Sequence, residues 1–183
     1  MDGRNVMDVY KYWSTEAILA DLDTKRHNFS VLCANVHGDF NIGTVIRNAN
    51  AFLAQEVMLY GRRKWDRRSA VGTHNYTHFK HVRDIDALAE IKSGSYVIGV
   101  DNIEDAEPID FADIPMDKHV VFAFGEEQVG LPREMIDICD KLVYIRQFGS
   151  VRSLNVGTAS GIVMYEYCRR LGLNSFCDKE HDV

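Results

Sequence analysis

GSVRSLNVGTASG, residues 149–161, has the composition of a linker, since seven of its thirteen residues are Gly, Ser or Thr. Its neighbours contradict that reading. KLVYIR (141–146) before it is strand-like, and IVMYEYCRRLG (162–172) after it is apolar at helical spacing. The stretch therefore reads as a strand-to-helix loop, with the helix running from about Leu154 to Leu171. The same alternation extends backwards through the chain. HVVFAFG (119–125) reads as a buried strand and PREMIDIC (132–139) as a helix with Pro132 in its first turn, a position proline favours. SYVIGVD (95–101) is a strand and DIDALAEIK (84–92) a short helix, and the acidic stretch 102–118 connects strands. EVMLYG (56–61) and FSVLCANV (29–36) are further strands. Between them Ile42, Val45, Ile46, Ala49, Phe52 and Leu53 share one helical face. Strands alternating with helices predict an α/β domain with a mostly parallel sheet and helices on both faces.

The chain has 183 residues, 46% hydrophobic and 26% charged, which suits one globular domain. The expected layout is an N-terminal helical extension over 1–28, with Tyr10, Trp13, Ala17 and Leu22 available to pack. The α/β domain then covers 29–175, and a flexible tail covers 176–183. No apolar run approaches the ~20 residues that span a bilayer, and the first residues show neither a signal-peptide core nor a transit pattern. No membrane association and a cytoplasmic location are expected. Cys33, Cys139, Cys168 and Cys177 form no CxxC pair, so neither a zinc site nor any other metal site is expected, and a reduced chain fits.

The net charge is −6, but its distribution is uneven. Residues 61–83 hold seven Lys/Arg against one acid, a local balance of +6 that leaves −12 elsewhere. Trp65, Tyr76, Phe79, His74, His78 and His81 are interleaved with these charges. A basic stretch with aromatics is what a surface needs to contact phosphates and stack bases. Arg62, Arg63, Lys64, Arg67, Arg68 and His74, with Arg152 from the later loop, are the candidate RNA contacts.

In parallel sheets ligands bind at the carboxyl ends of strands. Three loops there carry unusual chemistry: HGDFNIGTVIRNAN, GEEQVGLP and QFGSVRSLN. No GxGxxG follows the first strand. Gly125 and Gly130 have phosphate-loop spacing, but Leu131 and Pro132 stand where Lys and Ser/Thr belong, and Glu126 and Glu127 have the wrong sign for a triphosphate.

Asn41-x-Gly43-x-x-x-Arg47-x-Ala49, then GEEQVGLP, then IRQFGSVRSLNVGTASGIVMYEY, in that order, resembles the SpoU or TrmH-type RNA 2′-O-ribose methyltransferases of the SPOUT superfamily. The resemblance covers roughly residues 29–171. It implies a SPOUT-type fold with a deep C-terminal trefoil knot, S-adenosylmethionine as cofactor, tRNA or rRNA as substrate, and a homodimer with the active site at its interface. It places Asn41, Arg47, Glu127, Ser153 and Asn155 at catalytic positions. Val100, Asp101, Gly125, Ile145, Gln147, Ser153 and Leu154 become cofactor contacts, largely through backbone in glycine-containing loops. The sequence departs from the family pattern at Arg146, where proline usually follows the isoleucine, and at Gly157. The third motif looks closest to enzymes that methylate a D-loop guanosine of tRNA. A catalytically silent RNA-binding protein of the same fold, or a base-methylating relative, are the alternative readings.

Methyl transfer to a ribose requires alignment of the hydroxyl with the methyl group and removal of its proton. The family role of Arg47 is proton removal. Deprotonating an ordinary guanidinium, with a pKa of ~13, costs roughly 8 kcal/mol near pH 7. Arg47 is therefore expected to stay cationic, to stabilise the developing alkoxide and to grip the adjacent phosphate. Asn41 is expected to cap the helix that follows it while also facing the site, Glu127 to hold its loop or to orient Arg47 or Asn41, and Ser153 and Asn155 to face the reaction, with capping of the last helix as their alternative reading.

Overall fold

The computed structural model describes residues 6–35, 41–127 and 129–172. Strands β1 (Phe29–Asn35), β2 (Val57–Gly61), β3 (Phe79–Val82), β4 (Tyr96–Val100), β5 (Glu107–Pro108), β6 (Val120–Phe124) and β7 (Lys141–Tyr144) form one sheet in the order β3-β2-β1-β6-β4-β7-β5. Every pairing between these strands is parallel. Helices are α1 (Thr15–Asp23), α2 (Ile42–Ala51), α3 (Ile85–Gly94), α4 (Arg133–Asp137) and α5 (Val156–Arg170).

The central strands explain themselves. β1 and β6 are buried at every position, as strands covered on both faces must be. Their alternate residues feed two cores. Phe29, Val31, Cys33, Phe122 and Phe124 join a core with α2 and α5, while Leu32, Ala34, Val121 and Ala123 join one with α3 and α4. Tyr167 of α5 packs on Phe29 and Phe122, with ring centroids 4.9 and 5.6 Å apart. Helices on both faces of a parallel sheet match the expectation.

Several details differ from the sequence reading. β3 lies inside the basic segment, where FKHV is too polar to read as a strand; it earns its place as the strand next to β2. β5 is only two residues long, within the acidic connector. α2 ends at Ala51, because Leu53 takes a left-handed backbone (φ 54°) that a helix cannot continue through. Pro132 sits at the N-cap of α4, one residue before its first turn. In the extension, Ser14 caps α1 by accepting from Ala17 N–H, and Ile18 and Leu22 pack on Tyr76, with Tyr10 beside them. Ala17 is exposed, and Ile18, one residue on, takes its packing role. Arg26 ties the extension to the body through the carbonyls of Ala54 (2.8 Å) and Tyr76 (3.3 Å). The expected tail, 176–183, lies outside the described residues.

The small residues at the start of α5 serve the chain's own interior. A Cβ on Gly157 would come within 2.7 Å of Thr44 Cγ2, and one on Gly161 within 3.2 Å of Asn48 Nδ2. They are slim because α2 crosses there. At Gly43 a Cβ would lie 2.0 Å from Ser69 Oγ and 2.7 Å from Ala70 N. The basic segment thus passes directly over the helix that carries Arg47.

Candidate active site

Asn155 gathers the three loops. Its Oδ1 accepts from Gly157 N–H (2.9 Å) and Thr158 N–H (3.3 Å), so it caps α5. Its Nδ2 donates to Asn41 Oδ1 (2.9 Å) and to a carboxylate oxygen of Glu127. Both donors and the acceptor of one carboxamide are used. Asn41 occupies the N-cap position of α2 but makes no side-chain cap; its φ of −78° and ψ of −13° are already helical, and its carbonyl side chain turns to Asn155. Glu127 meets Asn155 rather than Arg47 or Asn41. Arg47 projects from α2 as an exposed side chain. Ser153 is exposed on the loop before the cap.

Beside this cluster, at the carboxyl ends of the adjacent strands β6, β4 and β7, lies a cleft of about 330 Å³. All seven expected cofactor residues line it: Val100, Asp101, Gly125, Ile145, Gln147, Ser153 and Leu154. Glu127 and Arg152 line it as well. Two of the seven also perform structural work that the sequence did not reveal. Asp101 accepts from Asn102 N–H and, 30 residues on, from Leu131 N–H, each at 2.8 Å. Gly125 is glycine for the sake of its own loop. Glu126 and Gly130 exchange backbone hydrogen bonds of 3.1 and 2.8 Å, and a Cβ on Gly125 would lie 2.0 Å from the Gly130 carbonyl carbon. Gly130 has φ +72° and abuts the Asp101 carboxylate. The loop closes through the Glu126–Gly130 pair and is held down by Asp101, so Gly125 has to be glycine for its own loop as well as lining the cleft.

S-adenosylmethionine carries a sulfonium and an amino group, both cationic, on an adenosine. The cleft fits such a group. It offers the carboxylates of Asp101 and Glu127 and the apolar walls of Ile145, Leu154 and Val129. Gln147 Oε1 is buried there with no hydrogen-bond partner among the described residues, an acceptor left for an N–H donor.

The basic segment is anchored by a residue the sequence reading passed over. Asn35, buried at the end of β1, accepts from Arg62 N–H at 2.8 Å through its carbonyl oxygen. Its Nδ2 donates to the carbonyls of Arg62 (2.6 Å) and Lys64 (3.2 Å). Arg62, Arg63, Lys64 and Arg67 are exposed. Arg68 is exposed too, but its guanidinium forks onto Asp66, whose carboxyl is held down at about 2 by the Arg68 side chain first and its backbone N–H next. The aromatics are not free for base stacking. Trp65 stacks on Phe79 (centroids 5.8 Å apart) and packs against the core, and Tyr76 is buried. His74 is half-buried edge-on to Trp65, and burial followed by Arg67 lowers its pKa. His78 meets Asp23 at 2.8 Å, and His81 meets the Gly61 carbonyl at 2.7 Å. Among the described residues no group of His, Cys, Asp and Glu could hold a metal ion. No described helix is long and apolar enough to cross a membrane.

The model of the SpoU rRNA Methylase family matches residues 28–165. The chain belongs to this family. Among SpoU relatives, the tRNA (guanosine(18)-2′-O)-methyltransferase of Escherichia coli K12 is 28% identical over 81% of this chain and 66% of its own length. A 23S rRNA (guanosine-2′-O-)-methyltransferase of Coxiella burnetii is 32% identical over 85% of this chain and 64% of its own. The crystal structure of an AdoMet-bound rRNA methyltransferase from Sinorhizobium meliloti superposes with a TM-score of 0.71 at 26% identity, covering 84% of this chain and 60% of that one. The chain thus spans about two thirds of the length of these SpoU relatives.

Proposed function

We propose that this chain is an S-adenosylmethionine-dependent RNA methyltransferase that transfers a methyl group to the ribose 2′-hydroxyl of a guanosine in tRNA or rRNA, with a D-loop guanosine of tRNA as the preferred target. The observation that carries this reading is the hydrogen-bonded set Asn41–Asn155–Glu127 on the rim of a cleft suited to the cofactor. Guanosine and 2′-O both stand in the names of the E. coli and Coxiella relatives.

The residues divide the work. When bound, the cofactor supplies an electrophilic methyl group on sulfur. Ile145, Leu154, Gln147, Gly125 and Val100 would hold it, Gln147 through its unpartnered Oε1. Asp101 contributes by seating the 125–130 hairpin. Asn155, fixed at four atoms, orients Asn41 and Glu127 toward the same region. Arg47 stays cationic, stabilising charge that develops on the ribose oxygen and gripping a neighbouring phosphate. A phosphate oxygen or water takes the proton. Arg62, Arg63, Lys64 and Arg67 engage the RNA backbone, and Arg152 lies on the cleft rim where it reaches the substrate.

A trefoil knot is part of the proposal. Hydrogen bonds between the connector 102–118 and the C-terminal segment at two points support it. Asn102 Nδ2 donates to the Arg152 carbonyl (3.0 Å), and Arg170 donates to the carbonyls of Ala112 (2.5 Å) and Ile109. A homodimer is supported by Ile162 and Tyr165, exposed together on the outer side of α5. A cytoplasmic location is part of the same reading.

The deciding experiment incubates purified protein with methyl-labelled S-adenosylmethionine and unmodified tRNA or rRNA, followed by nuclease mapping. Label on a guanosine 2′-oxygen supports the proposal. RNA binding without label would leave a binding protein, and label on a base would indicate the other chemistry.

A further inference from the structure

We infer that Asn48 is a positioning residue, one that clamps α2 to the first turn of α5 and thereby sets where Arg47 stands relative to Asn155. This rests on the proposed function.

Asn48 lies two turns beyond Asn41 on α2, one residue after Arg47. Its Nδ2 donates both hydrogens across to α5, to the Gly157 carbonyl at 2.7 Å and to Ser160 Oγ at 3.0 Å. Ser160 is fully buried and donates in turn to the same carbonyl at 2.8 Å. The geometry is made to admit this side chain, since a Cβ on Gly161 would sit 3.2 Å from Nδ2. Asn41, Thr44 and Asn48 follow the i, i+3, i+7 spacing of one helix face. All three meet α5: Asn41 at Asn155, Thr44 at Gly157, Asn48 at Gly157 and Ser160.

The two polar contacts close a circuit through one residue. Gly157 gives its N–H to Asn155 and its carbonyl to Asn48. Asn155 returns to Asn41 on α2. Two successive turns of α2 are thereby tied to the first turn of α5, which resists sliding and rolling of one helix on the other there. Where Gly157, Ser160 and Gly161 face α2 the surface is formed by small residues with little interlock of their own, so the polar contacts set the register at this turn. Arg47, on the adjoining flank, inherits that fixed position. A shift of about 1 Å at a reacting group can cost on the order of a hundredfold in rate.

The test uses Asn48→Ala and the isosteric Asn48→Asp, which cannot donate to the Gly157 carbonyl, each in wild-type and Arg47→Lys backgrounds. In the wild-type background kcat is expected to fall about 10- to 100-fold, while S-adenosylmethionine affinity measured by calorimetry stays within about threefold. In the Arg47→Lys background the further loss shrinks to about threefold or less, because both changes act through the same guanidinium. A kcat within twofold of wild type, or equal losses in both backgrounds, overturns the inference. Amide exchange at Gly157, Thr158 and Ser160 gives a readout that needs no RNA. Faster exchange in Asn48→Ser, which keeps one donor, is expected, and unchanged exchange overturns the clamp even if the other variants do not fold. If the wild-type chain methylates no RNA, the proposed function fails while the exchange data still judge the clamp.

Discussion

Asn155 Nδ2 donates to Asn41 Oδ1 at 2.9 Å across 114 residues of chain. The same carboxamide caps α5, so stability and chemistry meet in one side chain. They can be separated. Asn155→Asp keeps an oxygen for the Gly157 and Thr158 amides but loses the donor and faces Glu127 with a like charge. Thermal melting is expected to show a loss of under about 1 kcal/mol from the cap, with methyl transfer down at least about a hundredfold. Asn155→Ala should lose both the activity and about 1 kcal/mol. Equal activity in the two proteins and wild type would show that the carboxamide only caps.

The hairpin at 125–130 is predicted to reject any side chain at Gly125. A Cβ there meets backbone atoms at 2.0–2.3 Å, and backbone cannot swing aside as a flexible side chain would. Gly125→Ala should destabilise the fold by about 1–3 kcal/mol and abolish measurable S-adenosylmethionine binding by calorimetry. Retained binding would mean that the hairpin is not part of the cofactor cleft.

Exposed arginines next to one another should differ in their contribution to RNA binding. Arg67 is exposed with no acidic partner among the described residues, whereas Arg68 is forked onto Asp66. Replacing Arg67 with Ala is expected to weaken RNA binding and reduce the slope of log affinity against log salt by about 0.7–0.9. Arg68→Ala should change that slope by less than half as much. Filter binding between 50 and 200 mM salt, about the range where such slopes are steep, checks both. Equal slopes would place the RNA elsewhere.

Glu166 predicts an acid-sensitive joint between α5 and the connector. Hydrogen bonds from Arg169, then Arg170, outweigh burial and hold its pKa at about 2, below its ordinary value of 4.5. A depressed carboxyl contributes stability that is fully present above about 4.5 and is lost as pH falls toward about 2. With Arg169 half exposed, that contribution is about 1–2 kcal/mol. Urea denaturation should find Glu166→Gln less stable than wild type by this amount at pH 6. The gap should narrow progressively below about pH 4.5 and close only as pH approaches about 2; a gap independent of pH would remove the ionic origin.

Much of this protein could be read in the chain itself. The largely apolar runs 29–35 and 120–124 read as strands buried on both faces, and the period of Ile42, Val45, Ile46 and Ala49 reads as a helix on a core. The three polar motifs could be placed at strand ends for the same reason. FKHV at 79–82 could not, because a strand at the edge of a sheet is specified by the neighbour it pairs with rather than by its own composition. The aromatics of the basic segment misled in a similar way. Trp65 and Tyr76 have the composition of a stacking surface, and only packing shows that their faces are already covered.

The sequence by itself determined the parallel α/β sheet, the family, and which polar residues cluster at its carboxyl edge, because periodicity and motif order are local properties of the chain. Tertiary structure alone decided which partner each of those residues has. Asn41 turned from its own helix to Asn155, Gly125 and Gly157 proved to be crossing points for backbone and for Thr44, and Asp101 became the brace of a loop 30 residues away. A hydrogen bond needs its two atoms within about 3 Å, and nothing in local sequence measures the distance between residues a hundred positions apart.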